Sequence, residues 1–84
     1  MKLIVFLNGD GPQMRDAQEI ADDVSAEGYD VQILDWESDE ASDMARLYDL
    51  YSTPAFVITG PEGMVIEQWQ GTQLPLASEI KHLM

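Results

Sequence analysis

An α/β architecture in the order βαβαββα follows from three features of the sequence. Two apolar, β-rich runs, "KLIVFL" and "YDVQILDW", are each followed by a stretch whose apolar residues recur at helical spacing. The turn residues "GPEG" separate "TPAFVIT" from "MVIEQWQ", as in a β-hairpin. The last stretch, "LPLASEIKHLM", again carries Leu76, Ile80 and Leu83 at helical spacing. Helices between the first strands, with a hairpin after them, imply a mixed four-stranded sheet covered by three helices.

Each element has its own local reason. Residues 2 to 7 form a continuous apolar run, as expected of an interior strand buried on both faces. From Pro12 to Ala26, the residues Met14, Ala17, Ile20, Ala21 and Val24 fall on one helical stripe, and Gly28 stops it. "YDVQILDW" is the second strand. In "SDEASDMARLYDLYS", Ser38 or Asp39 caps a helix whose apolar stripe is Met44, Leu47, Tyr48 and Tyr51. The hairpin and the terminal helix complete the chain without a linker, an internal repeat or a low-complexity segment.

Composition narrows the function. Eighty-four residues make one domain, 1–84, and the absence of cysteine removes any disulfide or thiolate metal site. Sixteen acids against four bases give a net charge of -12. Phosphate binding needs clustered Lys and Arg, so neither nucleic acid nor an anionic membrane is expected as a partner. A protein partner with a basic surface fits better. All the acids except Glu62, Glu67 and Glu79 lie between Asp10 and Asp49, so the charge belongs to the first two helices and the segments beside them. The plainer and preferred reading of that run is a solvated, solubilising face. No stretch matches a signal peptide or a membrane helix, and the expected location is the cytoplasm.

The segment "NGDGPQM" marks the candidate site, because it follows the first strand where α/β sheets bind their ligands, at the carboxyl ends of parallel strands. The loop after "ILDW" opens at the same end and makes Trp36 a neighbour. Asp10 reads in two ways. Aspartate before Gly11 and Pro12 is a good helix cap, and with Asn8 and Gln13 nearby it is also an acceptor at the mouth of a crevice. Aromatic residues at regular spacing, here Tyr48, Tyr51, Trp36 and Trp69, are read chiefly as packing residues. His82 falls in the last turn of the terminal helix, where the dipole favours a cation. The pairs Asp22-Asp23 and Asp39-Glu40 diverge on their helices, so no catalytic residue, metal site or cofactor is expected.

Several of these motifs together resemble the thioredoxin superfamily at glutaredoxin size. Gly9-Asp10-Gly11-Pro12-Gln13 is similar to the family's Trp-Cys-Gly-Pro-Cys, with Gly-Pro kept and both cysteines replaced. "LYDLYSTPAFVI" resembles the stretch in which a Tyr precedes a cis-proline that opens a strand; Tyr48 and Pro54 stand in that relation. "PEGMVIEQWQG" resembles the family's hairpin with its closing glycine, Gly71. The resemblance covers nearly the whole chain, and the helix and strand that begin a thioredoxin have no counterpart before Lys2, as in glutaredoxins.

The departures carry the functional expectation. Thiol-disulfide exchange needs an attacking thiolate and a resolving thiol, and Asp10 and Gln13 supply neither. Ile4 stands where thioredoxins carry a buried acid, and Gly71-Thr72-Gln73 does not reproduce the Gly-Gly-x-Asp element with which glutaredoxins hold glutathione. The resemblance also implies that Thr53-Pro54 is cis and presents the Thr53 backbone to an extended segment; a plainer reading has Pro54 only shaping the loop. The expectation is a redox-inactive binding or assembly module, chaperone-like, with a groove formed by Asn8, Gly9, Asp10, Gly11, Pro12, Gln13, Trp36, Thr53 and Pro54. Alternatives are a degenerate oxidoreductase relative that docks to a redox enzyme, and an acidic mimic of nucleic acid.

Overall fold

The computed structural model describes residues 1–84. Its elements are β1 (Lys2–Leu7), α1 (Pro12–Ala26), β2 (Val31–Asp35), α2 (Asp39–Tyr48), β3 (Ala55–Thr59), β4 (Val65–Gln70) and α3 (Ala77–Leu83). The four-stranded sheet has the order β2-β1-β3-β4. β1 runs parallel to β2, with Leu3 opposite Val31 and Leu7 opposite Asp35. It runs antiparallel to β3, and β3 pairs antiparallel with β4. The expected order and mixed sheet are both present. No helix is long and apolar enough to cross a membrane.

The alternation of side chains along a strand splits the core in two. Leu3 and Val5 of β1 join Phe56 and Ile58 of β3 beneath Ala17, Ala21 and Val24 of α1 and Ile80 of α3. Ile4 and Phe6 point the other way and join Leu34, Ala55 and Val57 beneath Ala41 and Ala45 of α2, with Leu50 beside them. Phe6 and Phe56 are fully buried on opposite faces, and burial of each stabilises the fold by roughly 1.5–3 kcal/mol. α1 and α2 meet the sheet largely through alanines, whose small side chains permit a close approach, whereas α3 does so through Ile80.

Two helices depart from the sequence reading. The apolar stripe of α2 does not face the core as a whole: Met44 and Tyr48 pack at its margin, whereas Leu47 is 73% exposed and Tyr51 81%. The helix ends at Tyr48, and Asp49 turns into the left-handed region with φ 58°. That turn sends Leu50 inward in place of Tyr51. Leu76, expected on the buried stripe of the last helix, is instead its exposed N-cap, and its N–H donates to Glu79 Oε1 at 3.0 Å. The second and third strands also begin two residues later than expected, at Val31 and Ala55, which leaves Thr53 and Pro54 in the approach to β3.

Candidate functional site

Because β1 and β2 are parallel, Leu7 and Asp35 end side by side, and the backbone N–H of Trp36 donates to the Leu7 carbonyl at 2.8 Å. The chain then leaves β1 through Asn8–Gly11, with Gly9 at φ 80°, and enters α1 at Pro12. Asp10 does not cap this helix. Gly11 is the N-cap, no side chain bonds the free N–H groups, and Pro12 occupies the first turn, where its missing N–H is harmless. One residue too early for the cap position, the Asp10 carboxylate stays exposed and unbonded within the chain. Only its carbonyl is used, accepting from Arg15 Nε at 3.3 Å.

Asp10 lines an open hollow of about 330 Å³ together with Gly9, Asp35, Leu7, Ile33 and Leu34. Two acids thus stand over an apolar floor at the carboxyl ends of the parallel strands. Such a site suits an amphipathic cation, whose stem lies on apolar surface while its charged head meets the carboxylates. Sequence reasoning missed Asp35, although its place at the end of a parallel strand is the signal that singled out Asp10. One Asp35 oxygen is engaged by the Glu37 N–H at 3.1 Å.

Gln13 and Pro54 meet at Gly71. The Gly71 N–H donates to the Pro54 carbonyl at 3.0 Å, and Gln13 Nε2 donates to the Gly71 carbonyl at 3.5 Å. Pro54 is buried and the Thr53-Pro54 peptide bond is cis. Thr53 is half-buried, yet neither its N–H nor its carbonyl bonds to any group of the chain. The preceding loop is fixed by Gln70, which sequence reasoning also missed. Its Oε1 accepts from the Tyr51 N–H at 2.8 Å and the Ser52 hydroxyl at 3.5 Å, while Nε2 donates to the Asp49 carbonyl at 3.3 Å. No local sequence signal marks such a role.

Trp36 turns to the other side. Its ring meets Phe6 edge to face, with centroids 6.2 Å apart, and borders a second hollow of about 340 Å³ against α2 and Tyr51. Trp36 does not line the hollow of Asp10, nor do Asn8, Gly11 and Pro12, which are exposed. No three metal-ligating side chains converge. The groups present are an unpaired backbone N–H and carbonyl at Thr53, two acidic residues beside apolar ones, and an aromatic-walled hollow.

No protein-family profile and no curated protein matches the chain. Solved structures do. An uncharacterized thioredoxin-like protein from Clostridium perfringens superposes with a TM-score of 0.79 at 24% identity, covering 98% of this chain and 66% of that one. Thioredoxin 1 from Thermosipho africanus gives 0.63 at 18% identity, covering 99% and 89%. The oxidised thioredoxin of Plasmodium falciparum gives 0.69 at 17% identity, covering 98% and 75%. With Asp10 and Gln13 at the ends of the Gly-Pro turn and no cysteine in the chain, the protein has a thioredoxin-like fold that lacks the Cys-x-x-Cys pair.

Proposed function

We propose that this chain is a redox-inactive binding or assembly module, chaperone-like and cytoplasmic, that engages an extended segment of a basic protein partner beside Thr53-Pro54. The observation that carries this reading is the unbonded N–H and carbonyl of half-buried Thr53 just before β3. A backbone N–H and carbonyl with no partner in the chain are open to one, and an extended segment satisfies both at once by strand-like pairing. The basic character of the partner rests on the Asp10 and Asp35 carboxylates and on the net charge of -12. Without a thiolate, Asp10 and Gln13 have no means of attacking a disulfide.

An amide NMR titration with an extended lysine-rich peptide tests the reading. Shifts gathered at Asn8 to Gln13, Asp35 and Ser52 to Ala55 are the expected result. Shifts confined to the outer acidic faces of α1 and α2 would contradict it and leave mimicry of nucleic acid as the better account. The likeness to thioredoxins favours one second reading, docking to a thiol enzyme as a degenerate relative of its usual partner. Specific binding to such an enzyme, with no response to lysine-rich peptides, would select that reading.

A further inference from the structure

The hollow beside Trp36 has no role in backbone pairing, yet it is built as a receptacle. Trp36, Ala45, Leu50 and Tyr51 supply its apolar walls, and Arg46 and Asp49 stand at its rim. At about 340 Å³ it sits at the small end of ligand pockets, which run from roughly 300 to 1,000 Å³. A space of that size has room for one large side chain. Its outer wall is held in place before anything binds, because Gln70 bonds the backbone of Asp49 and Tyr51. A pre-fixed wall spares the ordering cost that a mobile loop would add on binding.

We infer that this hollow receives a large apolar side chain, Phe or Leu in character, from the same basic segment that pairs with Thr53. The inference rests on the binding reading above and adds the sequence chemistry of the partner. Tyr51 connects the two places, since it walls the hollow and lies two residues before Thr53 along the chain; it is also 81% exposed, an open aromatic edge. The charge around the hollow selects the rest of the segment. Asp49 and Arg46, of opposite charge, both line it, and the stretch from Trp36 to Tyr51 that forms it also carries Glu37, Asp39, Glu40 and Asp43 with no further base. Lys81 makes both ion pairs of the molecule, so none of these carboxylates is paired with a cation of the chain, although Glu40 Oε2 accepts from Gln32 Nε2 at 3.4 Å. An apolar anchor flanked by Lys or Arg meets both features, whereas an acidic segment would be repelled and a purely polar one would leave the apolar walls wet.

The test compares two lysine-rich peptides that differ only at one central residue, Phe or Ala, and a third with Phe among glutamates. The Phe-lysine peptide is expected to bind about tenfold or more tightly than its Ala counterpart, the gain from burying one large apolar side chain. It should shift the Trp36 indole N–H and the methyl resonances of Ala45 and Leu50, and the glutamate peptide should not bind. Ser42→Trp, at an exposed position of α2 bordering the hollow, should fill it and remove the Phe advantage while the Thr53 amide still responds. Equal affinity of the Phe and Ala peptides would overturn the inference and leave the groove reading intact. Hollow shifts without any response at Thr53 would keep the anchor and refute backbone pairing. Self-association of the free protein that Ser42→Trp abolishes would assign the hollow to a second copy and overturn the inference.

Discussion

Ser38 and Asp10 both precede helices with good capping chemistry, and the two helices use them differently. Ser38 Oγ accepts the Ala41 N–H at 3.2 Å, so Ser38→Ala should cost about 1 kcal/mol. Asp10 stands one residue outside the cap of α1, so Asp10→Ala should change stability by no more than about 0.5 kcal/mol. Urea unfolding of the two variants checks the contrast, and a large loss for Asp10→Ala would restore the capping role. Gly71 is the residue on which the Thr53-Pro54 side of the site depends. It holds φ 82°, and a Cβ added there would lie 3.2 Å from Ser52 Oγ. Gly71→Ala should therefore destabilise by about 1–2 kcal/mol, and the amide shifts of Ser52 to Ala55 should move with it, because the Gly71 N–H holds the Pro54 carbonyl.

At the scale of elements, α3 is tied to α1 by charge as well as by Ile80. Lys81 pairs with Glu27 and, at 3.5 Å, with Asp23, both on the side of α1. The hydrogen bond to Glu27 raises the Lys81 pKa above its ordinary value, and the neighbouring charge of Asp23 acts in the same direction. A raised folded pKa contributes stability that is present below the unfolded lysine pKa and is lost as pH climbs through the folded one. Lys81→Met should accordingly lower the urea midpoint at neutral pH by a small amount, given the exposure of both acids, and the difference should vanish in strongly alkaline solution. A difference that persists there would assign the effect to packing. The elements themselves were legible from periodicity: β1 declared itself by an unbroken apolar run, and the hairpin by "GPEG". The inner face of α2 was not. Its contact residues are Ala41 and Ala45, which a search for large apolar side chains passes over in favour of Leu47, and the left-handed turn at Asp49 that exposes Tyr51 has no glycine to announce it. The candidate site was half legible. Asp10, Gln13, Thr53 and Pro54 stood out by motif, whereas Gln70 acts through a contact with a loop some twenty residues away along the chain, which no local pattern encodes.

Across the whole molecule, charge is unevenly spread along the chain. The acids crowd between Asp10 and Asp49, a stretch that includes most of the hollow beside Trp36, while Thr53 and the hairpin belong to the much less charged remainder. Charge of that kind acts at a distance, so it should govern how fast a basic partner arrives, and the short-range contacts should govern how long it stays. Stopped-flow association of a lysine-rich peptide should slow steeply as salt rises past physiological strength, where the screening length is about 8 Å, with a smaller change in dissociation. The proposed pairing of an extended segment with the Thr53 backbone is put to the test by scanning the Phe-lysine peptide with single N-methyl groups, each of which removes one N–H and with it any strand-like bond that N–H makes. Methylation at the position facing the Thr53 carbonyl should lose about tenfold or more in affinity, while methylation at its immediate neighbours, which point away from the protein in a strand, should be tolerated. A scan that is flat along the peptide would contradict backbone pairing and leave charge and the apolar hollow as the whole basis of binding.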